Sequence, residues 1–199
     1  MSIEAGQPGP ARPAFAQPHV LRTARLQLRP MQPCDADALY AILTEPEVLR
    51  HWDTPAWPEV SCAREFIVDE QRALAEGESI TLGIYRDDPP QLIGECLLFA
   101  VDWQAGRAEL GFALAPAAWG HGYLQEAAGA LLAYGFDRLH LRRIEAEIDA
   151  GNAAAARALE RLGFRREGVL RERWAVNGSI SDAAVYGLLA REWAARCVD

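Results

Sequence analysis

The sequence is sparing with the residues that staple or metallate a small protein. Its four cysteines, Cys34, Cys62, Cys96 and Cys197, show no CxxC spacing, so neither a zinc knuckle nor a disulfide frame is expected and they read as reduced packing residues. The four histidines, His19, His51, His121 and His140, are as dispersed, which leaves metal binding little support. No apolar run approaches the roughly 20 residues that span a bilayer. The first residues also lack the basic start and apolar core of a signal peptide, and a cytoplasmic protein is the simplest expectation. Positive charge is in deficit: the net charge is -8 and the pI about 5.1. That balance argues against a nucleic-acid footprint and would suit a cationic partner.

What is present is an ordinary globular composition, half hydrophobic and 24% charged over 199 residues, enough for one domain with a full core. Residues 1–18 carry Pro8, Pro10, Pro13 and Pro18 with little apolar content, so a disordered tail is expected ahead of a single domain over residues 19–199. Residues 21–29 alternate as a first strand, with Leu26 and Leu28 on one face. Helices are expected over residues 35–43, 46–50 and 61–76, the last capped by Ser61 and ended by Gly77. The ring-rich segment between them, residues 51–58 with Trp52 and Trp57, reads as the lining of a cleft, as a lid packed on the core, or as a mixture of the two.

Three strands follow, over residues 79–86, 91–101 and 107–114, joined by connections short enough to imply antiparallel pairing. After a helix that opens near Tyr123, a strand over residues 141–149 can return parallel to the third of these as a βαβ crossover. Asn152 caps the next helix, Gly163 closes it, and two final strands meet at the Asn177-Gly178 hairpin signal. This order implies an α+β fold on a mixed, mostly antiparallel sheet.

The chain's chemistry is expected at residues 110–122, Leu-Gly-Phe-Ala-Leu-Ala-Pro-Ala-Ala-Trp-Gly-His-Gly, where a strand runs through a tight turn into a helix. A helix start carries unpaired N–H groups and partial positive charge, and Gly120 and Gly122 let an anion approach the backbone. The third small residue of a dinucleotide fingerprint is replaced by Gln125, and no Lys-Ser or Lys-Thr pair follows as in a Walker loop. The residues alone leave two readings open, an anion site or an ordinary loop with two turn glycines.

The wider pattern is more specific. Residues 119–127 read Trp-Gly-His-Gly-Tyr-Leu-Gln-Glu-Ala, Asn152 opens a helix that ends Leu-Glu-Arg-Leu-Gly-Phe at Phe164, and Glu167-Gly168, Asn177-Gly178 and Asp182 follow. Together these motifs resemble the GNAT acetyltransferases over about residues 19–193, and within them the RimJ/RimL-type branch that acetylates N-termini of ribosomal proteins and related acceptors. The resemblance implies a GNAT-type sheet with helices on both faces, acetyl-CoA as cosubstrate and no metal. It implies that Ala117, Trp119, Gly120, His121, Gly122 and Tyr123 surround the pyrophosphate, held by main-chain amides. Phe112, Ala113 and Leu114 would pair main-chain groups with the pantetheine arm, which needs the strands at 107–114 and 141–149 to splay apart beside the thioester. Asn152 would act as a helix cap, as a guide for a main-chain group facing the cofactor, or as both.

Three positions depart from the family pattern. Ala117 stands where an Arg or Gln usually opens the loop, Ala155 stands where a Ser often lies three residues after the Asn, and Leu159 stands where a sister branch often has a Tyr used as general acid. A thiol with a pKa of about 8.5 leaves without strong protonation, so positioning plus a base suffices, or an acid from Tyr123, Tyr134 or Tyr186. The first candidate base is Glu147, five residues before Asn152, where the sister branch has its base; it also reads as one of three solvated acids on a strand face. Glu109 is the second candidate and Asp182 the third, the latter more suited to a structural role.

The expected activity is acetyl transfer to a primary amine, with a protein N-terminal amine first and a small polyamine or aminoglycoside second. A non-catalytic acyl-CoA-binding module is the alternative of another class, motivated by Ala155 and Leu159. The expected partners are the amine acceptor, with no nucleic acid and no membrane, in a monomer or a homodimer paired through its C-terminal strands.

Overall fold

The structure, a computed structural model, describes residues 20–196; the expected tail at residues 1–18, with His19 and Cys197, lies outside the described residues. The alternating segment at 21–29 folds back on itself as two short strands, β1 (Leu21–Arg22) and β2 (Leu26–Arg29), with Leu21 opposite Leu28. The reason is a local turn that alternation does not reveal. Thr23 N–H donates to the Leu26 carbonyl at 3.0 Å, and Leu26 N–H donates to Thr23 Oγ1 at 3.0 Å.

Two short helices follow, α1 (Ala36–Leu43) and α2 (Pro46–Leu49), and then the long α3 (Val60–Glu76). Ser61 does not cap α3: Glu59 occupies the extended cap position and Ser61 falls in the first turn, while Gly77 ends the helix at φ +72° as expected. The antiparallel strands β3 (Ile80–Asp87), β4 (Pro90–Asp102) and β5 (Arg107–Leu114) come next, each within two residues of its expected bounds. Then come α4 (Tyr123–Ala133), β6 (Arg143–Asp149), α5 (Ala153–Arg161), β7 (Arg165–Val176), β8 (Ser179–Leu189) and α6 (Ala190–Ala195).

The strands form one eight-stranded sheet in the order β1-β2-β3-β4-β5-β6-β8-β7, antiparallel throughout except between β5 and β6. Helices cover both faces. On one, Leu131 and Leu132 of α4 and Leu159 of α5 bury against Leu26, Leu28, Leu82, Ile84 and Ile144. On the other, Leu39 and Ile42 of α1 and Ile67 of α3 bury against Tyr85, Leu92 and Ala113. Full burial of such a side chain is worth about 1.5–3 kcal/mol, so the sheet is clamped between two apolar layers. Trp52 and Trp57 of the ring-rich loop pack on the second layer, which favours the lid reading for those rings.

Candidate active site

The junction after β5 has the geometry of an anion cradle. Pro116–Ala118 forms a 3-10 turn whose Ala118 is buried as a plug, and the Trp119 indole N–H donates to the Leu114 carbonyl at 2.8 Å, holding the turn against the strand. Gly120 and Gly122 both sit at φ +77°, and Gly122 is the cap residue of α4. A Cβ built on Gly120 would meet nothing within 4 Å, and one on Gly122 only an Arg25 nitrogen at 3.6 Å, so the space beside both glycines is open apart from that nitrogen. The first helical bond of α4 runs from Glu126 N–H to the Gly122 carbonyl, which leaves the amides of Tyr123, Leu124 and Gln125 without helical acceptors. Ala117 and Trp119 to Gly122 are solvent-exposed, as a phosphate site requires.

Sequence reasoning missed the cation beside this loop. Arg25, in the turn after β1, donates through Nη1 to the His121 carbonyl at 3.0 Å and through Nε to Glu126 at 2.7 Å, and it lies 4.7 Å over the Tyr123 ring. His121 stacks on the same ring at 5.6 Å. Burial pushes the Glu126 carboxyl up, but hydrogen bonds from Thr23 and Arg25 outweigh it and hold the group below the ordinary carboxylate range. Nothing in the sequence marked it, because Arg25 falls on the polar face of the expected first strand with Gln27 and Arg29.

Beside the loop the sheet opens. β5 and β6 pair only at Arg107 with Arg143, Ala108 with Ile144 and Glu109 with Glu145, and beyond Glu109 they part. The N–H of Ala115 goes to the Ile93 carbonyl on β4. Main-chain groups alternate sides along a strand, so Ala113 also turns toward β4 while Phe112 and Leu114 turn toward the gap. The expected pantetheine pairing therefore has no main-chain groups from Ala113, and the Leu114 carbonyl already accepts from Trp119. Phe112 offers both N–H and C=O, and Leu114 its N–H. Asn152 is a helix cap: its Oδ1 accepts from Ala155 N–H at 3.0 Å. Ala155 and Leu159 are buried in the packing of α5. Of the candidate acids, Tyr134 and Tyr186 belong to the apolar layer under α4, where burial raises the Tyr134 phenol, and Tyr123 stands at the loop.

Carboxylates line the other face of the opening. Ile144 and Ala146 point into the α4 layer, so alternation puts Glu145, Glu147 and Asp149 on the opposite side, in the layer of Glu109. Glu145 is bound by Arg107 at 3.0 Å and by Arg143 at 2.7 Å, and Arg143 continues to Glu167 at 2.5 Å. Gly187 makes room for that ion pair, because a Cβ there would lie 2.5 Å from Glu167. Asp149 bonds His51 Nδ1 at 2.6 Å and accepts from Gly151 N–H, fastening the ring-rich loop to β6. Glu147 Oε1 accepts from Arg173 Nε at 3.0 Å and from the Trp174 indole at 2.8 Å.

Glu109 stands apart from its neighbours, since among the described residues it has no hydrogen bond or ion pair. Burial first, then the Glu145 and Glu147 charges, raise its pKa against the opposing pull of Arg107 and Arg173. Asp182, the third candidate base, is occupied with structure: its Oδ1 accepts from Glu172 N–H at 2.8 Å and its carbonyl from Ala150 N–H at 3.0 Å.

Comparison with known proteins identifies the family. The family model described as acetyltransferase (GNAT) domain matches residues 25–165. The uncharacterized N-acetyltransferase p20 of Bacillus licheniformis is 36% identical over 174 residues, spanning 87% of this chain and 98% of the relative. The crystal structure of a "Probable acetyltransferase" superposes with a TM-score of 0.81 at 30% identity, covering 87% of this chain and 98% of that one. A RimL ribosomal L7/L12 alpha-N-protein acetyltransferase, solved with coenzyme A, shares the fold at a TM-score of 0.78 over 86% of this chain and 98% of that one, with 18% identity. The chain belongs to the GNAT acetyltransferases and is an acetyl-CoA-dependent N-acetyltransferase.

Proposed function

We propose that the acceptor is the N-terminal amine of a protein, that acetyl-CoA lies with its pyrophosphate on the amides of residues 120–125 and its pantetheine arm along Phe112, and that Glu109 is the base. The observation that carries this reading is the unpartnered carboxyl of Glu109 at the rung where β5 and β6 part. The amine attacks the thioester carbonyl, a C–N bond forms and the C–S bond breaks, the amine proton passes to Glu109 and the thiolate leaves. A raised pKa makes Glu109 a better proton acceptor than a carboxylate locked to an arginine. Glu147 then serves as the anchor for Arg173 and Trp174.

A small polyamine is the second reading, favoured by the net charge of -8. Three of the four carboxylates that β5 and β6 bring to this face are already paired, which leaves too few for a multiply charged amine.

The test is kinetic. Glu109→Gln should lower kcat by roughly a hundredfold with acetyl-CoA affinity unchanged by calorimetry, whereas Glu147→Gln should cost less. The acidic limb of the wild-type kcat/KM profile should lie above the ordinary carboxyl pKa of about 4.3 and vanish in Glu109→Gln. A full-rate Glu109→Gln enzyme refutes the assignment.

A further inference from the structure

A bulge in the edge strand delivers a guanidinium to the mouth of the gap. Leu170 pairs with Ala183 and Trp174 with Ser181, so residues 171–173 lie opposite Asp182 alone. Glu172 is held at φ +53°, a conformation unfavourable for a residue with a side chain, and the Asp182 carboxylate clamps its N–H at 2.8 Å. Bulges of this kind re-aim side chains beside functional sites. Here Arg173 and Trp174 converge on one oxygen, Oε1 of Glu147.

The consequence is a site with two unsatisfied groups of opposite charge. Arg173 spends its Nε on Glu147, remains 55% exposed, and its two terminal nitrogens have no partner among the described residues. Across the opening, Glu109 is the carboxylate left unpaired, and it feels the Arg173 charge. Arg107 and Arg143 on the same face are committed to Glu145 and Glu167. One free carboxylate and one fork with spare donors match an acceptor that carries an amine and, close to it, an anion; a guanidinium fork suits a carboxylate best. A polycation would meet Arg173 as a like charge.

We propose that Arg173 is a specificity-determining residue that reads a carboxylate adjacent to the acceptor amine, either an acidic side chain early in a protein N-terminus or the α-carboxylate of a free amino acid. This rests on the acetyltransferase reading with Glu109 at the acceptor side. Initial rates with acetyl-CoA should be compared for peptides beginning Ser-Glu and Ser-Gln, for glutamate and its α-amide, and for spermidine. In the wild type the carboxylate member of a pair should lead by roughly tenfold or more in kcat/KM; preference in the peptide pair identifies a protein acceptor, and preference in the amino-acid pair identifies a free amino acid and overturns the protein acceptor proposed above. Arg173→Gln should bring the ratio close to one and Arg173→Glu should invert it. Trp174→Phe, which loosens the same anchor without touching the charge, should retain the preference. A wild type that favours spermidine, an unchanged ratio in Arg173→Gln, or an equal loss of preference in Trp174→Phe overturns the inference. Absence of turnover with every acceptor overturns the proposed function itself.

Discussion

Glu95 is a buried carboxyl on β4, one strand away from the gap. It is 2% exposed on β4, opposite Ala113 and therefore on the α1–α3 side, and its Oε2 has no hydrogen-bond partner among the described residues. Burial, with a smaller push from Glu70, raises its pKa to about 8. A carboxyl whose folded pKa exceeds its unfolded value stabilises the fold fully below about 4.3 and loses that contribution as pH rises to about 8. Glu95→Gln removes the titration, so urea melts should show the variant gaining on the wild type with pH, by roughly 3 kcal/mol at neutrality. Parallel pH dependence in the two proteins contradicts the assignment. None of this was legible in the sequence, because Glu95 sits in an apolar run whose two faces are both buried. The same limit applies to the proposed base: Glu147 and Glu109 both alternate correctly, and only the partners of Glu147, brought from a strand 26 and 27 residues away, set them apart. The glycines, the Asn152 cap and the helix registers were legible, since each rests on neighbours in sequence.

At the scale of elements, the β5–α4 junction is shaped by conformation more than by crowding. Gly120 faces open space, yet its φ of +77° is one a β-branched residue resists. Gly120→Val should therefore weaken CoA binding at least tenfold in calorimetry through a rearranged loop, while the far-UV spectrum stays that of the wild type; unaltered affinity rules the loop out as the phosphate site. Strand β7 teaches the opposite lesson about legibility. Its position and its Asn177-Gly178 turn were expected, but its bulge follows from Asp182 on the neighbouring strand and leaves no local mark. Two register shifts, together with exposed Arg165, Arg166 and Arg171, also blunt β7 as a surface for adding another strand.

Across the whole molecule, the order of strands and helices was readable because consecutive elements are joined by short turns and one crossover. The contribution of the turn after β1 was not: Arg25 reaches His121 and Glu126 from 96 and 101 positions earlier. Helices are present on both faces, and none among the described residues is long and apolar enough to cross a membrane. Only three backbone rungs tie β5 to β6, so the sheet consists of a five-stranded leaf and a three-stranded leaf that share a narrow seam. Hydrogen exchange should show the amides along that seam opening more readily than those between β3 and β4, and saturating CoA should slow them. Equal protection in both places, with and without CoA, contradicts the picture. In the proposed pose the cosubstrate would be a rivet as well as a donor: an arm lying where strand pairing stops would replace the missing rungs, and each release of spent CoA would return the two leaves to their looser hinge.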